Sequence, residues 1–188
     1  MRVEILKHED NWQSVKDAAM NTIGKESGIY PSSDWKWKML RAEHSPIRLI
    51  EITVRIHDLP YWIAMHLVRH KIGIEHFVST QRSDRTGEDR SQLPQSALID
   101  YTFRANAQAF ITISRKRLCH QASPETRAAW KAVLKAVAEV EPELASLCVP
   151  ECFYRGFCPE LRSCGYIQSA AGQMGMECYR AGVVASVC

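Results

Sequence analysis

LIEITVRIHDLPYWIAMHLVRHK, residues 49 to 71, carries two patterns of different period in one short span. In its first half Ile50, Ile52, Val54 and Ile56 alternate with Glu51, Thr53, Arg55 and His57. A period of two belongs to a strand with one buried face. Asp58, Leu59 and Pro60 close it, since proline lacks the amide a central ladder needs. The second half, YWIAMHLVRHK, reads as a helix of about three turns that runs into the cations Arg69, His70 and Lys71. Strand followed directly by helix sets the class: a chain of mixed α and β structure.

Upstream, NWQSVKDAAMNTIGK spaces Trp12, Val15, Ala18, Ala19 and Ile23 as one helical face, and GIYPSSDWKWKML predicts a turn and a second short helix. His44-Ser45-Pro46 interrupts it, because the residue before proline is steered away from helix. Downstream, SDRTGEDRSQLP is a polar loop and QSALIDYTFRANAQAFITISRKRLC a long helix. The clearest helix is ASPETRAAWKAVLKAVAEVEPELASL, with Ser123 as its cap, Pro124 in its first turn and an apolar face of Trp130, Val133, Leu134, Val137 and Val140. The expected architecture is α/β (α+β), a mixed sheet with long helices. It forms a single domain over 1–188, with residues 148–188 a Cys/Gly-rich C-terminal extension whose tail carries no readable chemistry.

Composition narrows the partners. At 188 residues, 46% apolar and 24% charged, the chain can bury a core of its own. A net charge of +3 argues against general nucleic-acid or membrane-surface binding, so any anion specificity must be local. No run approaches the roughly 18 apolar residues of a membrane span. MRVEILKHED has no signal-peptide core. The seven cysteines form an odd count and are expected to be reduced thiols in a cytoplasmic protein. Cys148, Cys152, Cys158 and Cys164 lack the close pairing that opens a compact zinc site, so free thiols and no metal are expected. The adjacent Cys119 and His120 do not face each other along a helix, which disfavours a catalytic pair. Trp35, Trp37, Phe153, Tyr154 and Phe157 read as core or subunit interface.

Two stretches point to anions. Arg69, His70 and Lys71, followed by Ser79 and Arg82, can form a phosphate site, the chain turning back near Gly73. The same cations also suit a solvated helix end, where the dipole favours them. Arg127 stands one turn inside a helix N-terminus, against the dipole, with Arg115, Lys116 and Arg117 just upstream. An anionic ligand or a nearby carboxylate would each explain it.

RHK, followed by seven residues and Ser79, resembles the R-H-R-x7-S signature of flavin-dependent thymidylate synthases. HSPIRLIEITVRI resembles that family's Ser-Pro or Thr-Pro turn before a strand, HLVRHK its Q-x-x-R-H-R helix, STQR its S-x-R tail, and QASPETR its A-Q-W-E-I-R helix start. VKDAAMNT is similar to an N-terminal helix of the family. The resemblance runs in order over roughly residues 12 to 145. It implies a homotetramer with active sites shared between subunits and reductive methylation of dUMP to dTMP. FAD is the implied cofactor, and NADPH and methylenetetrahydrofolate are the implied co-substrates. Position by position, it implies Arg69, His70, Lys71 and Arg117 at FAD, with Arg115 competing for the last register. It implies His66, Ser79, Arg82 and Arg127 at the nucleotide. Arg127 would also stabilise charge on the uracil, and His44 would lie near the flavin. Lys71 replaces an arginine, His66 a glutamine, and Phe77 an acidic or amide residue; one extra residue precedes Arg82, and ASPETR lacks the Gln-Trp pair. These departures leave room for another pyrimidine acceptor, for a different one-carbon outcome such as hydroxymethylation, or for a non-catalytic nucleotide- or flavin-binding protein.

Overall fold

The structure is a computed structural model, in which residues 1–183 are described. Four strands form one sheet in the order β1-β2-β4-β3: β1 Arg2–His8, β2 Glu51–Pro60, β3 Ile74–Val78 and β4 Leu98–Asn106. Every pairing is antiparallel, which corrects the expected mixed sheet. Parallel neighbours need a crossover helix on the sheet, whereas here the connections return each strand beside its partner in the opposite sense. The alternation in β2 is realised as read, with Ile52, Val54, Ile56 and Leu59 turned into the core. Its register shifts between Ile56 and Leu59, where Asp58 has a φ of 54°, and the strand then resumes to Pro60.

Helices α1 (Trp12–Asn21) and α2 (Ser33–Arg41) form where the periodicity puts them. Helix α3, Tyr61–Leu67, is shorter than expected and stops before the basic triplet. Gly73, at φ 71°, turns the chain out so that β3 can pair along β4. The polar loop holds only a one-turn helix, α4 (Ser83–Thr86), and a short 3-10 turn.

The expected long helix over QSALIDYTFRANAQAFITISRKRLC is wrong in its first half. Ile99, Tyr101, Phe103 and Ala105 are buried while Leu98, Asp100 and Arg104 face outward, the period of a strand. Helix α5, Ala107–Arg117, starts only where the Asn106 side chain accepts the Ala109 amide at 2.9 Å. The long C-terminal helix also divides, into α6 (Pro124–Val140) and α7 (Pro142–Leu147). Proline at 142 cannot continue the ladder, and Glu141 before it takes φ −137° and ψ 71°.

The core lies between one sheet face and α5 and α6. Phe103 and Phe110 each stack on Trp130 and tilt against each other, all with centroids 6.0 Å apart, and the Trp130 indole donates to Ser114 Oγ at 2.8 Å. Each such side chain contributes about 1.5–3 kcal/mol by leaving water. Residues past 147 join the same core: Phe153 from α8 (Glu151–Arg155), Ile167, and Met176 and Tyr179 from α9 (Ala170–Ala181). Of the expected core aromatics, Trp35 and Trp37 pack against it, while Tyr154 and Phe157 stay exposed. Cys178 is disulfide-bonded, so the expectation of reduced thiols does not extend to it. Cys188 lies outside the described residues.

Candidate functional site

The ends of α3 and α5 bring three of the expected residues together. Arg117 Nε donates to His70 Nε2 at 2.9 Å. That nitrogen is therefore the acceptor of a neutral ring, and the proton sits on Nδ1. Burial, the Arg117 charge and His76 lower the His70 pKa to about 4. Arg69 adds a second cation, and after burial it is the cause of the lowered Arg117 pKa. Neither guanidinium forms an ion pair with a carboxylate among the described residues. Two neighbouring cations without an acid create a local positive field that the net charge of the chain conceals.

His70 is braced from behind. Its carbonyl accepts from His76 Nε2 at 2.7 Å, and the Tyr101 hydroxyl reaches His76 Nδ1 at 2.6 Å. Burial raises the Tyr101 pKa, so its hydroxyl stays a donor. The sequence reading did not single out His76 and Tyr101, because IGIEHFV was not recognised as a strand facing β4.

A second group forms at the start of α6. His66 Nδ1 meets Thr126 Oγ1 at 3.0 Å, and the Ser123 hydroxyl donates to the same oxygen at 2.8 Å. Arg127 points back along the α5–α6 turn, where Nη1 donates to the carbonyls of His120 and Ala122, both at 3.1 Å. In the first turn of α6 its charge meets these backbone oxygens, and no carboxylate pairs with it among the described residues. Arg115 leaves the register contest: it is ion-paired with Glu43 and lies over the Tyr154 ring at 3.5 Å.

Four expected residues do not join these groups. Lys71 is exposed beyond the turn, and His44 is exposed before the 3-10 turn Ser45–Leu49. Ser79 and Arg82 follow β3, past its end remote from Gly73, and their side chains bond elsewhere. Ser79 donates to the Asp100 carbonyl at 2.9 Å, and Arg82 makes a bidentate pair with Asp84 at 3.0 and 2.7 Å. An exposed pair of this kind is worth only about 0–1 kcal/mol, so Arg82 can exchange partners readily.

No protein-family model matches the chain, and no curated protein matches it in sequence. Solved structures do. The UMP/dUMP methylase PolB from Streptomyces cacaoi, bound with 5-Br dUMP, superposes with a TM-score of 0.62 at 15% identity, over 82% of this chain and 94% of that one. The flavin-dependent thymidylate synthase ThyX from Helicobacter pylori, complexed with FAD and dUMP, gives 0.62 at 13% identity, over 79% of this chain and 100% of that one. PolB bound with 5-Br UMP gives 0.56 at 14% identity, over 77% and 92%. The chain therefore has the fold of flavin-dependent thymidylate synthases and of the PolB methylase. The family resemblance read from the signature is borne out at the level of fold.

Proposed function

We propose that the chain is a flavin-dependent methyltransferase of pyrimidine nucleotides, converting dUMP to dTMP with methylenetetrahydrofolate as carbon donor and NADPH as reductant. The observation that carries this reading is the Arg69–Arg117 pair, unmatched by any carboxylate among the described residues and set beside the neutral His70. A dinucleotide pyrophosphate fits such a place, because it brings two negative charges to two fixed guanidinium forks. FAD, when bound, supplies the hydride. Arg69 and Arg117 hold its phosphates and Lys71 adds a point charge. The His70 ring offers Nδ1–H as a neutral donor whose orientation Arg117 fixes, while His76 holds the His70 carbonyl. His66 and Arg127 flank the nucleotide, and Arg127 keeps free N–H donors for charge developing on the uracil.

Ser79 and Arg82 bond Asp100 and Asp84 and do not touch the Arg69–His70–Arg117 group, so in this reading they serve the pocket of another copy. A homotetramer with shared sites is proposed from the family resemblance, with His44 reaching the flavin of another copy. Among the described residues no Ser-His-Asp or Cys-His set is formed, which is compatible with chemistry carried by flavin and folate. PolB is described as a UMP/dUMP methylase, and Lys71 and Phe77 depart from the signature, so UMP is the second acceptor to test. Tritium release from C5-labelled dUMP, UMP and dCMP, with FAD-reconstituted protein, decides among acceptors. A protein that neither purifies yellow nor takes up FAD would overturn the flavin reading itself.

A further inference from the structure

Cys119, Cys152, Cys158 and Cys164 line one narrow cleft under the α5–α6 turn, with Glu151, Glu160 and Tyr166. Cys119 follows α5, Cys152 belongs to α8, and Cys158 and Cys164 come from the loop before α9. None of the four is in a disulfide. Backbone donors are aimed at two of the sulfurs: the Gln121 amide at Cys119, and the Glu160 and Cys164 amides at Cys158, which the Ser163 hydroxyl also approaches. The free space holds about one water-sized body, which suits a single ion.

We infer that these four thiols are the ligands of one tetrahedral zinc ion. Sulfur-only donor sets select zinc over hard cations, and four ligands close a structural site. Among the described residues no three candidate ligands stand at metal-bonding spacing, so binding requires the four side chains to draw together across the cleft. Aqueous Zn2+ and four thiols then give a dianionic tetrathiolate and four protons. Neighbouring groups are otherwise engaged. The His120 ring stacks on Tyr166 with centroids 3.7 Å apart, Glu151 accepts from Arg155 at 2.7 Å, and Glu160 faces Lys116 at 3.8 Å. Cys148 is buried in the core against Ser114. The fourth thiol is therefore Cys119 and not Cys148, which is why spacing within residues 148–164 argued against a metal. The ion ties α8 and the loop before α9 to the turn that carries Arg117 and Arg127, and so steadies that turn from outside the pocket.

The test uses the full chain purified under reducing conditions from zinc-supplemented cells. Elemental analysis should find one zinc per chain, released when a mercurial titrates the thiols. Cobalt added to the metal-depleted protein should saturate at one equivalent, with an intense thiolate-to-cobalt charge-transfer band and strong visible bands. Cys158→Ser and Cys164→Ser should lose the metal, while Cys148→Ala should keep it. If the serine variants fail to fold, the cobalt titration of the unmodified chain still decides. Zinc far below one per chain together with no charge-transfer band overturns the inference. So does a brown protein with labile sulfide, or thiols that react with Ellman's reagent equally fast with and without zinc.

Discussion

Replacing Arg117 with methionine removes the charge and keeps most of the apolar stem, so the local packing survives. Two consequences follow from the geometry. The His70 ring loses the donor at Nε2 and the second-largest cause of its low pKa, while burial, the largest, remains. Its pKa should therefore rise from about 4 without reaching the ordinary histidine value of 6.5. FAD should lose one charge-assisted contact worth about 1.5–3 kcal/mol, which is roughly a 10- to 100-fold weaker dissociation constant. The assays are a histidine-selective NMR titration and flavin binding followed by fluorescence at several salt concentrations. Unchanged FAD affinity with unchanged salt dependence would refute the phosphate role of Arg117. A His70 titration identical to that of the parent would refute the contact itself.

Arg115→Met should behave oppositely, leaving flavin affinity intact while breaking a largely buried pair with Glu43. Removing one partner should cost about 2–4 kcal/mol, a Tm lower by roughly 6–12 °C, measured by calorimetry. Gly73→Ala puts a Cβ 2.7 Å from the Asn106 side chain at a φ of +71°. Strain and a disturbed α5 cap should together cost about 2 kcal/mol in urea unfolding; a neutral result would contradict the turn geometry. Glu141, 2% exposed, accepts from Trp12 Nε1 and His8 Nε2. Glu141→Gln should destabilise by about 1–3 kcal/mol, and chemical denaturation at neutral pH checks it. For pH, the His70 shift is downward, so its contribution to stability is full above pH 6.5 and lost as pH falls towards about 4. The unscreened shift corresponds to about 3 kcal/mol, and for a half-buried ring solvent screening reduces this to about 1–2 kcal/mol. A His70→Gln variant should flatten that part of the pH profile, and an unaltered slope would exclude His70 as its source.

What the sequence determined by itself is local. The alternation of Ile52, Val54 and Ile56 specifies a half-buried strand, and Ser123-Pro124 with the spacing of Trp130, Val133 and Val137 specifies the α6 helix. Both follow from one chain segment meeting one buried face. The order R-H-K…S, with its flanking segments, was enough to point to the fold. Tertiary structure decided the rest. Tyr101 and Phe103 form a strand although they precede a helical run, because β2 and β3 offer paired edges on both sides. The same pairing stops α3 short and carries Ser79 and Arg82 away from His70. Arg117 and not Arg115 meets His70 because Glu43 holds Arg115 on another side of α5. Cys119 joins three thiols more than thirty positions away only because α8 packs against α5. Such meetings depend on where whole elements dock, which is set by burial summed over the core and leaves no trace in the spacing of any one segment.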